Sequence, residues 1–113
     1  MVKMAKNRTY SRYTREAAAL LARQVLLGRK RRKWTERELA ERAGISRATL
    51  QKIEKGDLSV AIGLVFEVAA LVGVTLFDDE RTALTAHIAR TDDTLALLPS
   101  SVRKRSKPVD DGF

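Results

Sequence analysis

Cysteine is absent from the 113 residues of the sequence, and His87 is the only histidine. Disulfide bonds and thiolate metal sites are therefore excluded, and a reducing compartment is compatible with the chain. An enzyme needs a nucleophile, a base and an orienting partner, or metal ligands, that converge in a pocket. We find no such set, no P-loop and no dinucleotide fingerprint, and a single histidine on a helix is more often a surface or core residue than a ligand. We expect no enzyme, no metal and no cofactor.

Long apolar runs are also missing. No stretch approaches the ~18 consecutive apolar residues that a membrane span needs, and the lysine-rich start is not followed by the apolar segment of an export signal. The length suits one domain with a tail and a core of moderate size. We therefore expect a cytoplasmic protein without a membrane partner.

Basic residues, in contrast, are plentiful. The chain has 22 Lys and Arg against 14 Asp and Glu, which gives a formal charge of +8 and a pI of about 10.3. Residues 1–33 hold 11 of the basic residues and a single acidic one, Glu16. Such a concentration of positive charge favours an anionic partner.

Residues 34–56, WTERELAERAGISRATLQKIEKG, have the pattern of two short helices joined by a tight turn. Thr35 and Glu38 are spaced as a capping box, which predicts that a helix begins directly after the threonine. Gly44 can take the left-handed conformation that ends this helix, and Ser46 can cap the next one. Two such helices around a turn with glycine form a helix-turn-helix, whose second helix enters the DNA major groove.

The second of these helices is predicted to have a polar outward side. Leu50 and Ile53 are spaced to face the core, and Gly56 can end the helix. The residues left outside are small, polar or basic: Ala48, Gln51, Lys52 and Lys55. A helical hairpin in a larger bundle is the alternative, but it does not require this crowding of polar and basic groups.

The start of the chain is basic and has no hydrophobic periodicity. We expect residues 1–13 to form a flexible arm, which either contacts DNA through Lys6, Arg8 and Arg12 or remains a solvated end. A helix capped by Thr14 is predicted to follow.

This first helix is predicted to run to about Arg32 and to end in the basic run RKRRK at 29–33. The helix dipole favours some of these cations, but five in succession exceed that need and favour contact with phosphate. Binding to a membrane surface is the alternative, although the core needs the apolar side of the helix. That side is formed by residues at helical spacing: Ala18, Leu21, Ala22 and Val25.

An apolar helix over residues 60–72, capped by Ser59, is predicted after the two short helices. A small domain covers so apolar a helix best with help from a partner subunit. The β-branched and aromatic residues 74–77, VTLF, favour a short strand.

The last helix is predicted to begin at Asp78 or Asp79 and to end before Pro99. Its apolar residues share one side: Leu84, Ile88, Leu95 and Leu98. The chain is thus divided into a flexible basic arm (1–13), a helix-turn-helix DNA-binding and dimerisation domain (14–98) and a disordered tail (99–113).

Across about residues 20–77 the sequence resembles the XRE family of phage-repressor-like helix-turn-helix regulators. The matching positions combine helix caps, core residues, turn glycines and two charged residues: Val25, Arg29, Thr35, Leu39, Ala40, Gly44, Ile45, Ser46, Leu50, Ile53, Glu54 and Gly56. Two stretches, AIGLVFEVAALVGVTLFDD and LALLPSSVRKRSKPVDDGF, resemble HipB-type antitoxins, which are paired with HipA-like kinase toxins.

These resemblances imply an all-α domain of five helices, with one short strand, that forms a homodimer. They also imply repression of its own operon through an inverted-repeat operator and inhibition of a kinase encoded beside it, in the bacterial cytoplasm and nucleoid. The dimer is expected to form through Phe66, Val74, Thr75, Leu76, Phe77, Leu84 and Ile88. The tail is expected to bind the kinase, or to add nonspecific DNA affinity, through Arg103, Lys104, Arg105 and Phe113.

DNA contacts follow from the family positions and from the basic run. The residues expected to contact DNA bases are Arg47, Ala48 and Lys52, and the helical wheel adds Gln51. Phosphates are expected to be held by Arg29, Lys30, Arg31, Thr35, Arg37, Ser46, Thr49 and Lys55.

Two charged positions have further consequences. The family usually has Gln after the capping Thr, where it holds phosphate, whereas this sequence has Glu36. A carboxylate cannot hold phosphate, so Arg37 is expected to take that part. The resemblance also links Arg29 and Glu54 as an ion pair between the first and third helices.

Two other functions are compatible with the sequence. One is a solitary repressor of the same family without a toxin. The other is a protein-interaction module whose basic helix and tail hold an acidic protein. The salt dependence of binding separates these two functions, because DNA affinity falls more steeply with salt for every phosphate neutralised.

Overall fold

The architecture is helical throughout the part of the chain that the structure, a computed structural model, describes: residues 8–78, 81–102 and 104. Within these residues there are five α-helices and no strand, which confirms the predicted all-α class. The helices are α1 (Arg12–Arg31), α2 (Glu36–Ala43), α3 (Arg47–Glu54), α4 (Ile62–Leu71) and α5 (Arg81–Ala96), with a 3-10 turn at Leu76–Asp78. The chain divides after Asp78 into two units, the first with α1 to α4 and the second with α5.

The core of the first unit receives side chains from all four of its helices. α1 packs against α3 and α4, and α2 packs against the same two helices. The buried apolar residues are among those that the sequence pattern predicts to face the core: Val25, Leu39, Ala40, Leu50, Ile53, Val68, Ala69 and Val72. Removing this apolar surface from water is the main force that assembles the unit.

The N-terminal end of α1 differs from the prediction. Ser11, not Thr14, is the N-cap, because the Ser11 Oγ accepts a hydrogen bond of 3.2 Å from the backbone N–H of Thr14. The helix therefore includes Arg12 and Tyr13, which had been expected in the arm. Local polar contacts hold this first turn, among them a 3.2 Å ion pair from Arg12 to Glu16, so hydrophobic periodicity gives no sign of it.

The start of α4 also differs. The helix begins at Ile62 after Ala61, and no side chain caps it. The predicted cap, Ser59, instead donates from its backbone N–H and its Oγ to Asp57 Oδ1 at 2.8 and 2.6 Å. These two hydrogen bonds hold the pKa of Asp57 below its ordinary value. Ser59 therefore closes a side-chain turn on Asp57 rather than a helix end.

The strand predicted at residues 74–77 is wrong. The chain leaves α4 through Gly73, whose φ is 82°, and the N–H of Val74 returns to Ala69 O at 2.9 Å. Residues Leu76–Asp78 then form the 3-10 turn, in which Phe77 has a φ of 59°. The β-branched and aromatic residues favour a strand, but the end of α4 bonds the backbone locally and overrides that preference.

In the second unit the structure describes α5 and some of the residues that follow it, up to 102 and residue 104. The last helix was expected to begin at Asp78 or Asp79, but Asp78 belongs to the 3-10 turn and α5 begins at Arg81; Asp79 lies outside the described residues. Of the predicted apolar side of α5, Leu84 is half-buried, and three residues are exposed: Ile88, Leu95 and Leu98.

Candidate nucleic-acid interface

Side-chain caps fix the two short helices at both ends of their turn. Thr35 Oγ1 accepts from the Glu38 N–H at 3.1 Å, and the Glu38 carboxylate accepts from the Thr35 N–H at 2.8 Å, so the predicted capping box is present. Gly44 ends α2 with a φ of 71°, a conformation that strains most other residues. Ser46 Oγ then accepts from the Thr49 N–H at 3.0 Å and begins α3.

The third helix, α3, has one side in the core and one side toward solvent. Leu50 and Ile53 are buried in the core, and α3 packs against α1 and α2. The four residues predicted to read bases lie on the other side: Arg47, Ala48, Gln51 and Lys52. Of these four, only Gln51 is half-buried, and the others are exposed. This solvent-facing side of α3 thus offers two cations, one amide and a small residue.

A polar bridge joins the first residue of α2 to this side of α3. Glu36 Oε1 accepts hydrogen bonds from Arg47 Nε and from Gln51 Nε2, each at 3.1 Å. The Arg47 side chain remains 65% exposed and that of Glu36 29% exposed. The hydrogen bonds from Gln51 and from Arg47 hold the pKa of Glu36 below its ordinary value, so Glu36 is ionised at neutral pH.

Glu36 is not predicted from the sequence as a site residue. For Glu36 the sequence indicates only that a carboxylate at this position cannot hold phosphate. Its signal in the sequence is the spacing of Arg47 and Gln51, which are four residues apart and therefore share one side of α3. Arg37, the residue expected to hold phosphate in its place, is exposed and forms a 3.4 Å ion pair with Glu41 on its own helix. Such exposed pairs are weak, so the Arg37 phosphate contact stays a prediction.

Arg29 lies inside the first unit. Its Nε and Nη2 donate to the two carboxylate oxygens of Glu54 at 2.6 and 3.1 Å, and its Nη1 donates to Trp34 O at 3.1 Å. The ion pair implied by the family resemblance is therefore confirmed, with side chains only 10% and 7% exposed. The hydrogen bond to Glu54 raises the pKa of Arg29, against the opposing effect of burial. The phosphate contact predicted for Arg29 is contradicted, because its guanidinium is engaged inside the unit.

The other residues of the basic run divide between structure and surface. Arg32 Nη1 donates to Val72 O at 2.6 Å, at the end of α4, and its guanidinium lies 5.7 Å from the centre of the Trp34 ring. Lys30 and Arg31 are exposed. Arg32 therefore holds the end of α1 to the end of α4, whereas Lys30 and Arg31 are accessible to an anionic partner.

The comparison with known families bears on the segment that contains these elements. Residues 27–78 match a family model described as helix-turn-helix, from the end of α1 to the 3-10 turn. This segment is similar to helix-turn-helix domains. Helix-turn-helix domains bind DNA by placing their second helix in the major groove. No curated protein and no solved structure matches the chain.

The remaining predicted phosphate contacts of the helix-turn-helix domain lie at helix ends. Thr35, Ser46 and Thr49 surround the starts of α2 and α3, where Ser46 Oγ also donates to Thr49 Oγ1 at 2.9 Å. Lys55 is exposed at the C-terminal end of α3. Backbone N–H groups at helix starts favour anions, so the positions of Thr35, Ser46 and Thr49 suit the phosphate contacts predicted for them.

The residues predicted to form a dimer occur in both units. In the first unit, called the helix-turn-helix unit from here on, the rings of Phe66 and Phe77 pack edge to face with centroids 6.2 Å apart. The Phe77 residue is nevertheless 73% exposed. The other members range from half-buried to exposed: Val74, Leu76 and Leu84 are half-buried, and Thr75 and Ile88 are exposed.

Few of the contacts predicted for the two ends of the chain can be placed. The Arg8 guanidinium lies 5.3 Å from the centre of the Tyr10 ring, and Lys104 is exposed. The other predicted contacts lie outside the described residues: Lys6, Arg103, Arg105 and Phe113. In the described part, no cluster of three or more His, Asp or Glu residues suits a metal ion, and no helix is long and apolar enough to cross a membrane.

Proposed function

We propose that the protein is a transcriptional repressor that binds an inverted-repeat operator as a homodimer. The observation that supports this most is the solvent-facing side of α3, which carries Arg47, Gln51 and Lys52 while the opposite side is held in the core. A guanidinium can read guanine and an amide can read adenine in the major groove. Lys30 and Arg31 add surface cations for the phosphate backbone.

Two considerations favour a homodimer. A single recognition helix reads few base pairs, and helix-turn-helix dimers place two such helices about 34 Å apart. The helix-turn-helix unit also exposes large apolar side chains on α4 and the turn after it, among them Ile62, Leu64 and Phe77. A second copy of the chain would remove this apolar surface from water.

Selection of duplexes from a randomised pool by the full chain, with sedimentation at micromolar concentration, tests this function. We expect an inverted repeat with half-sites one helical turn apart and a sedimenting dimer. The affinity should fall linearly on a plot of log affinity against log salt. A pool without an enriched sequence would exclude sequence-specific binding, and a monomer that footprints one half-site would exclude the dimer.

The finer proposal is that the repressor is the antitoxin of a HipA-like kinase, acting in the bacterial cytoplasm and nucleoid. Its support is the resemblance of residues 61–79 and 95–113 to HipB-type antitoxins. In this proposal the tail binds the kinase, with Phe113 as an apolar anchor beside three cations: Arg103, Lys104 and Arg105. Burial of one Phe would contribute ~1.5 to 3 kcal/mol, about tenfold or more in affinity before ordering costs.

Truncation after Ser101 separates an antitoxin tail from a nonspecific DNA-binding tail. Binding would be measured to operator DNA and to the product of the neighbouring gene. Loss of kinase binding with unchanged operator affinity would support the antitoxin, and Phe113→Ala should reproduce most of that loss because it keeps the cations. Loss of DNA affinity alone, with a shallower salt slope, would favour the solitary repressor.

A further inference from the structure

One carboxylate oxygen accepts hydrogen bonds from two of the side chains on the solvent-facing side of α3. Glu36 Oε1 lies 3.1 Å from both Arg47 Nε and Gln51 Nε2. Glu36 is the first residue of α2 and lies between the two residues of the capping box, Thr35 and Glu38, so the capping box fixes the backbone that carries it. The bridge therefore ties the orientation of both α3 side chains to a rigid neighbouring helix.

The chemistry of the bridge determines how Gln51 is oriented. An ionised carboxylate only accepts hydrogen bonds, whereas the amide of Gln51 has one donating and one accepting end. The amide must therefore turn its nitrogen toward Glu36, which leaves its carbonyl oxygen and its second N–H for a partner. An acceptor beside a donor is the pair that matches N6 and N7 of adenine. A neutral amide at position 36 would accept either orientation of Gln51.

The same oxygen restrains Arg47 without using up its donors. The bond employs Nε, one of five N–H donors of a guanidinium, and leaves the two terminal nitrogens. Two parallel donors of this kind can bind O6 and N7 of guanine. Side chains that are already held in place lose less conformational freedom on binding. The carboxylate also offsets the charge of Arg47, which weakens its attraction to phosphates of any sequence.

We propose that Glu36 is a specificity-determining positioning residue, which orients Gln51 and Arg47 for base reading and suppresses nonspecific DNA binding by Arg47. This inference rests on the proposed function, because it requires that α3 reads bases. It assigns a direct role in sequence choice to a residue that need not touch DNA.

Three variants separate orientation from charge. Glu36→Gln keeps the size of the side chain but removes the charge and the strict acceptor. Glu36→Asp keeps the charge and the strict acceptor but shortens the side chain, so that one oxygen no longer reaches both donors. Glu41→Gln is the matched control, because Glu41 lies on the same helix and pairs with Arg37 through the same kind of exposed ion pair.

The full-length variants would be compared with the parent by selection from a randomised duplex pool and by binding to a duplex of random sequence. We expect both Glu36 variants to lose preference by about tenfold at the base positions read by Gln51 and Arg47. Glu36→Gln and Glu41→Gln should each bind the random duplex more tightly, with a salt slope steeper by about 0.9 because one more arginine can neutralise a phosphate. Only the Glu36 variants should change the selected sequence.

A measurement on the protein alone reports the bridge directly. In NMR spectra of the free chain, the Gln51 side-chain amide and the Arg47 Nε–H should be ordered in the parent and in Glu41→Gln, and averaged in both Glu36 variants. Thermal melts confirm that each variant is folded, and a merely structural role for Glu36 would lower the melting temperature without changing the base preference.

Two results would overturn the proposal in distinguishable ways. If the parent selects an operator and both Glu36 variants select the same one with undiminished preference, Glu36 has no positioning role, although the proposed function stands. If the parent selects no sequence, the proposed function fails and this inference fails with it.

Discussion

Two regions of the helix-turn-helix unit each contain an Arg–Glu pair, and they differ in almost every other respect. The first, here the junction, joins the end of α1 to α3 and α4 through Gly28, Arg29, Arg32, Glu54 and Val72. The second is the solvent-facing side of α3, where Arg47 pairs with Glu36 of α2, here the outer pair. The junction pair has two hydrogen bonds and side chains 10% and 7% exposed, whereas the outer pair has one such bond and side chains 65% and 29% exposed.

The difference shows how burial decides what an ion pair does. Two buried charges lose hydration, and their attraction and hydrogen bonds must offset that loss, so removing one partner leaves a costly unpaired charge. An exposed pair contributes little to stability because water and salt screen it. Its donors, however, remain within reach of a ligand. The junction should therefore hold the fold, and the outer pair should serve recognition.

Substitution of Glu54 tests the junction most severely. Glu54→Gln removes the charge that compensates Arg29 while keeping the shape of the side chain, so the free energy of unfolding should fall by ~3 to 5 kcal/mol. Denaturant unfolding of the full chain measures this. Glu41→Gln removes an exposed partner and should cost ~0 to 1 kcal/mol. If the two variants unfolded alike, burial would not distinguish the two kinds of pair.

Close packing at the junction provides the next largest effect. A Cβ on Gly28 would lie 2.7 Å from Val72 O and 2.9 Å from Val72 Cβ, so Gly28→Ala should force α1 from α4 and cost about 1 to 3 kcal/mol. Gly63→Ala is the control, since a Cβ there meets nothing within 4 Å, and it should stabilise α4 by about 0.5 to 1 kcal/mol. Equal stabilisation by both changes would show that α1 and α4 separate without cost.

Local signals explain what was predicted correctly. The two short helices follow from Thr35, Glu38, Gly44 and Ser46, because each of these residues acts on its own backbone or on the next turn. The core positions follow from helical periodicity for the same reason. Neither inference needs knowledge of the rest of the fold.

Predictions failed where a tertiary partner decides the outcome. Arg29 is a residue type that commonly binds phosphate, but here its guanidinium donates hydrogen bonds to Glu54, which is 25 residues away in the sequence. A carboxylate at position 36 is unfavourable beside phosphate, but Glu36 accepts hydrogen bonds from Arg47 and Gln51 of the next helix. Sequence alone cannot choose between such partners, because the choice depends on the crossing of helices.

Arg32 and Lys30 sharpen the comparison within one basic run. Arg32→Ala removes the 2.6 Å hydrogen bond to Val72 O and should lower the free energy of unfolding by about 1.5 to 2 kcal/mol, the lower part of the range for hydrogen bonds to charged groups, because the guanidinium is partly exposed to water. Lys30→Ala should leave stability unchanged and weaken binding to all DNA sequences alike, with a salt slope shallower by about 0.9. Melting curves and salt titrations of both variants test this, and exchanged effects would contradict the division of the run.

Arg47→Ala should have a small effect on stability and the clearest effect on recognition. Because Arg47 is exposed and lies at the start of α3, the free energy of unfolding should change by no more than about 0.5 kcal/mol. Discrimination should relax at one base position by ~1 to 3 kcal/mol if the guanidinium binds a guanine with two donors. An unchanged selected sequence would mean that Arg47 contacts only the DNA backbone. A loss of stability comparable with that of Glu54→Gln would mean that the outer pair, like the junction pair, holds the fold, and the two regions would no longer differ in role.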